Sequence, residues 1–135
     1  MPIQYRSEAF YRSLQALHHS APAIRGSAVI TQDGLVIAAF PPGWDANIHD
    51  PTGGEHVAAL AAVVAGQAEK TLTRLNQGQM ERVLMEGEHG TIAVLPVTHD
   101  AALAILIQKD AKLGLTLHAA RRAADEIQAV LNKTK

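Results

Sequence analysis

Residues 80–108 read MERVLMEGEHGTIAVLPVTHDAALAILIQ, and this stretch decides the fold. It contains three β-rich runs, residues 80–86, 91–97 and 101–108, broken by the polar and glycine-containing segments 87–90 and 98–100. Connections that short leave no room for a crossover, so the three runs are predicted to pair as an antiparallel meander. Pro96 falls near the end of its run, where a missing backbone donor does least harm.

Upstream of the meander, residues 55–75 form a helix with Val57, Leu60, Ala61, Val64, Ala68 and Leu72 along one stripe. Its first half is apolar all round. Before it, residues 41–54 read PPGWDANIHDPTGG, whose prolines and glycines no regular element tolerates, so this is one long loop. Residues 27–31 and 35–40 are two further strands separated by Gln32, Asp33 and Gly34, and Asp-Gly supplies the positive φ angles of a tight hairpin. A first helix is predicted over residues 7–18, with Phe10, Leu14 and Leu17 at i, i+4 and i+7, Ser7 as its N-cap and Pro22 beyond its end. A last helix over residues 111–132 carries Leu113, Leu117, Ala120, Ala124, Ile127 and Leu131 on one face. The order is α-β-β-α-β-β-β-α, with no repeat and no linker. The predicted fold is therefore α/β in the broad sense (α+β): one domain over residues 1–135, a five-stranded, mainly antiparallel sheet between helices.

Composition narrows what such a domain does. Twelve basic residues against thirteen acidic ones give a net charge of -1, so there is no general attraction to phosphate backbones or anionic lipid, and nucleic acid is not an expected partner. The absence of cysteine excludes disulfides and thiolate chemistry. The longest uncharged apolar run, residues 57–66, spans about 15 Å as a helix, half a bilayer core. Membrane insertion is not expected. The segment 1–13 carries Arg6, Glu8 and Arg12 and does not read as a signal peptide, so a cytoplasmic location is expected.

No catalytic motif accompanies the fold. There is neither GxxxxGK[ST] nor GxGxxG, so no phosphate loop and no nucleotide cofactor is expected. Gly53-Gly54 before the second helix reads as a turn into the helix rather than as an anion cradle. His49, Asp50, Glu55 and His56, with Asp45 nearby, match no metal-ligand spacing, so no metal is expected. His18 and His19 read as the closing residues of the first helix, and His89, His99 and His118 as solvated. The serines, Ser7, Ser13, Ser20 and Ser27, stand in no nucleophile setting. Arg121 and Asp125 read as an i,i+4 pair on an exposed face. The chain is not expected to be an enzyme.

Four passages carry a family resemblance: GSAVITQDGLVIAAF (26–40), EHVAALAAVVAGQAEKTL (55–72), MERVLMEGEHGTIAVLPV (80–97) and ALAILIQKDAKLGLTLHAARRAADEI (102–127). In their joint order of Asp33-Gly34, Ala-rich helix, Pro96-Val97, Leu113-Gly114-Leu115 and Arg121-Arg122 they resemble the Roadblock / dynein light chain family, which includes bacterial gliding-protein partners of Ras-like GTPases. The resemblance implies a profilin-like fold. It also implies a homodimer, with second helices side by side and third strands paired across the two-fold axis, that binds and regulates a small Ras-like GTPase without donating a catalytic residue. Arg25, Arg74 and Arg82 are the candidates if an arginine is supplied in trans. A structural scaffold subunit of a larger complex is the alternative reading, and a small-molecule sensor using the histidine-bearing loop a third. The loop 41–54 is longer and richer in Pro and Gly than the family pattern, and with the single Trp44 on it the loop is expected either to adapt the common fold to its partner or merely to be pinned to the body by that ring.

The residues themselves also point to self-association. A helix on a sheet needs one apolar stripe, yet Ala58, Ala59, Ala62, Val63, Ala65 and Gly66 on the other positions are apolar and mostly small, as a closely packed second helix would require. With Met80, Arg82 and Leu84 of the third strand they make up the expected dimer interface. Trp44, Glu55, Glu69 and Arg74 are the expected partner-binding residues.

Overall fold

The computed structural model describes residues 2–47 and 49–133. Its elements follow the predicted order: α1 (Pro2–Ser20), β1 (Ile24–Thr31), β2 (Val36–Phe40), α2 (Gly54–Arg74), β3 (Val83–Glu86), β4 (Gly90–Pro96), β5 (Ala101–Gln108) and α3 (Leu113–Lys133). The strands form one sheet in the order β2-β1-β5-β4-β3, and every pairing is antiparallel. The meander and the first hairpin thus join through β1 and β5, leaving β2 and β3 as edges.

Local chemistry sets several boundaries differently from the sequence pattern. Helix α1 starts well before Ser7, which lies inside it rather than capping it. The β1–β2 connection is a three-residue loop: Gly34 N–H donates to the Thr31 carbonyl, Thr31 N–H donates to that of Leu35, and Gly34 alone takes a positive φ, 85°. That is a type I turn closed by a left-handed glycine, so Asp33 needs no positive φ. Strand β3 is shorter than the run 80–86. Its register pairs Val83 with Val94, and two residues farther along, Glu81 would oppose Pro96, which has no N–H to offer.

Two cores lie on the two faces of the sheet. On one, α1 and α3 pack together over Val29, Leu95, Leu103, Ile105 and Ile107, with Phe10, Leu14, Leu17 and Ile127 closing the space. On the other, α2 alone covers Ala28, Ile30, Val94 and Ala104 through Val57, Ala58 and Ala61. The expected sandwich of sheet between helices is present. Because α3 faces both the sheet and α1, its buried stripe is broader than one line and takes in Ala123.

Candidate interaction surface

Helix α2 is turned on its axis relative to the sequence expectation. Leu60, expected to face inward, is 62% exposed, and Val63 is 64% exposed. Ala58, expected at the outer face, is fully buried against the sheet and is withdrawn from the interface. The β1–β2 hairpin lies against this helix. A Cβ on Gly34 would lie 3.0 Å from the Ala59 Cα and 3.4 Å from both the Ala58 carbonyl oxygen and the Ala62 Cβ. The missing side chain at Gly34 therefore lets the hairpin tip lie against the α2 backbone at Ala58 and Ala59 with the small Ala62 beside it, an approach that accords with this helix phase. The result is an outward surface of Ala59, Leu60 and Val63, with Gly66 half-buried beside them. An Ala-rich helix gives its own phase poorly, but the glycine tip upstream was a signal that small residues would be needed opposite it.

Ala62 and Ala65 lie on the flank of α2 as half-buried residues packed against the α2-side core. On the sheet below, Val83 and Ile92 are packed only in part, and Met85 is also half-buried. Leu84 lies in edge strand β3 and packs toward the opposite core. Met80 and Arg82 lie outside β3: Met80 is buried before the strand and Arg82 is exposed. Of the third-strand residues expected at the interface, only Leu84 lies in β3.

The four expected partner-binding residues do not converge. Glu55 begins α2 and Arg74 ends it, about 28 Å apart along the axis, both exposed. Glu69 is exposed and lines a groove on the flank of α2. Trp44 is occupied in holding its own loop. Its Nε1–H donates to the Thr52 carbonyl at 2.9 Å, and its ring lies so close over Gly26 and Gly54 that a Cβ on either would overlap the indole. Two glycines, one on β1 and one opening α2, let the ring fasten the 41–53 loop to the body. Arg25 is exposed near the start of β1.

The remaining polar groups serve the fold. Asp50 accepts from the Thr52 N–H and hydroxyl, both at 2.9 Å, which holds its carboxyl below the usual range. His18 approaches the hydroxyl of fully buried Ser27 at 2.8 Å and lies against Phe40 with ring centroids 4.6 Å apart. Burial pushes its pKa down to about 4, so the ring is neutral at ordinary pH. Arg121 reaches Asp125 at 3.8 Å and donates to the Glu81 carbonyl at 2.9 Å, tying α3 to the approach to β3. Among the described residues no three His, Asp or Glu side chains gather as a metal site, and no helix is long and apolar enough to cross a membrane.

The architecture has close counterparts. A family model of the Roadblock/LC7 domain matches residues 12–107. An uncharacterised protein of Methanocaldococcus jannaschii is 36% identical over 107 residues, 79% of this chain and 87% of that protein. The solved gliding protein MglB of Thermus thermophilus superimposes with a TM-score of 0.81 at 20% identity, covering 95% of this chain and 92% of that one. A profilin of Acanthamoeba castellanii shares the fold more distantly, with a TM-score of 0.53 at 11% identity over 85% of this chain and 95% of its own. The fold is thus profilin-like, and the match of a family model across most of the sequence shows that the chain belongs to the Roadblock/LC7 domain family.

Proposed function

We propose that this protein is a homodimeric, non-catalytic platform that binds and regulates a small Ras-like GTPase. The observation that carries the reading is the outer surface of α2, where Leu60 and Val63 stand exposed at 62% and 64% beside Ala59. Large apolar side chains at neighbouring positions of one helix face are what a protein partner covers. Membership of the Roadblock/LC7 family supports the same reading.

In the proposed dimer the two α2 helices pack side by side through Ala59, Leu60, Val63 and Gly66, with Ala62 and Ala65 at the flank. The β3 edges pair across the two-fold axis, which removes an open template for strand addition. The paired helices then offer one surface to the GTPase, and regulation acts by biasing the GTPase's own switch segments. A cytoplasmic location accompanies this role.

Sedimentation of the purified chain at micromolar concentration tests the first step, and a dimer is expected. Binding to purified Ras-like GTPases, loaded in turn with GDP and with a non-hydrolysable GTP analogue, tests the second, with preference for one nucleotide state expected. A monomer would remove the platform. A dimer indifferent to every such GTPase would leave the scaffold reading in its place.

A further inference from the structure

Strand β3 loses its ladder one step early, and a side chain of α3 stands at that place. In β4, Val97 N–H donates to the Ala101 carbonyl and so faces β5. Backbone groups alternate in direction along a strand, so position 96 faces β3, as do positions 94 and 92 before it. Val94 and Ile92 are in register with Val83 and Met85, and the next rung of the same kind would join Pro96 to Glu81. Proline has no N–H, so the Glu81 carbonyl has no donor from the ladder.

The Arg121 guanidinium takes over this role. From 40 positions away in sequence, its Nη2 donates to the Glu81 carbonyl at 2.9 Å. Its Nη1 lies 3.8 Å from a carboxylate oxygen of Asp125, one turn farther along α3. The chain entering β3 is thus held at two successive points, by burial of Met80 and by the bond to Glu81, immediately before exposed Arg82 and the strand itself. Arg121 adds little to the α1/α3 core, since its side chain is 42% exposed.

We propose that Arg121 is a positioning residue for the β3 edge: its guanidinium replaces the N–H that Pro96 cannot offer and holds residues 81 and 82 in line with the strand. The consequence for assembly rests on the reading that β3 pairs with a second copy, because an edge already held extended loses less conformational freedom on pairing. Arg121→Met, which keeps an aliphatic stem and removes the donors, is compared with the unmodified chain by amide hydrogen exchange and by sedimentation. Exchange at Val83 and Met85, whose amides face β4, should quicken about fivefold while the amides of β1 and β5 are unchanged, and the dimer dissociation constant should rise by a similar factor. Adding Pro96→Ala to Arg121→Met returns an N–H opposite Glu81 and should bring both back to within about twofold, a rescue that a contact serving only to anchor α3 would not show. Asp125→Asn, which leaves the bond to Glu81 in place, should change each by less than about twofold. The role is overturned if Arg121→Met leaves exchange at Val83 and Met85 unchanged, or if Pro96→Ala fails to restore it. Faster exchange and its rescue in a chain that is monomeric throughout would uphold the positioning role and remove the pairing of β3 instead.

Discussion

The two faces of the sheet are finished differently. The α1/α3 face is closed by two helices over large side chains: Phe10, Leu14, Leu95, Leu103, Ile105, Ile107 and Ile127 are all fully buried or nearly so. The α2 face is closed by a single helix and with smaller residues, Ala28 and Ala104 on the sheet and Ala58 and Ala61 on the helix. That helix leaves Val83 and Ile92 partly covered and keeps Leu60 and Val63 in solvent. The first face shows how this domain stays folded. The second shows where it has apolar surface left for others.

Mutations on the two faces should therefore separate stability from assembly. The largest effect is expected for Leu14→Ala, which empties a fully buried site between α1 and the sheet and should cost about 3 kcal/mol in urea unfolding. A cost below about 1 kcal/mol would mean that α1 is not part of the cooperative core. Trp44→Ala should cost less, about 2 kcal/mol, because the ring is only half-buried, although it spans Gly26 and Gly54. If that variant keeps its stability but loses its partner, the loop is an adaptor and not merely a fastened connection.

His18 sharpens the comparison through pH. Its pKa is depressed to about 4 by burial, below its unfolded value, so the folded state takes up its proton less readily than the unfolded one. The stability it contributes is complete above about pH 6.5 and falls as the pH drops toward 4. After allowance for the ring's partial exposure, about 1 kcal/mol should be lost across that window, and His18→Gln should flatten this part of the stability profile. The smallest stability effect is expected for Leu60→Glu, below about 0.5 kcal/mol for the protomer, since the side chain is 62% exposed. The same substitution should convert the proposed dimer to monomer by sedimentation. An unchanged dimer would move the interface off this part of α2.

Much of the fold was legible because its signals were local and agreed with one another. The short polar breaks at 87–90 and 98–100 fixed the meander, and residues 101–108 form β5 with the predicted ends. Less legible was anything set by a distant neighbour. The rotation of α2 accords with how closely Gly34 approaches Ala59, and an Ala-rich helix with apolar residues on every side carries no phase of its own. The start of β3 depends on Pro96 across the ladder, which a reading of residues 80–86 in isolation passes over. The outward position of Val63 was anticipated, whereas that of Leu60 was not, because the spacing of the apolar residues put it on the inward stripe with Val57 and Ala61. Trp44 was open to two uses, partner binding and pinning of its loop, and the residue it is pinned against, Gly26, is distant in sequence and not legible there.

The placement of Trp44 also equips the protein with an optical reporter. As the sole tryptophan, it accounts for nearly all emission excited at the red edge of the aromatic band, and that emission arises where the loop, β1 and the first turn of α2 meet. Its indole N–H bond to Thr52 and its partial burial set a colour and a quenching rate that change when the loop lifts. Fluorescence from the unmodified chain can thus follow this junction separately from the α1/α3 core, whose unfolding is read by circular dichroism. Any partner that reaches the N-terminal end of α2 would announce itself by the same light.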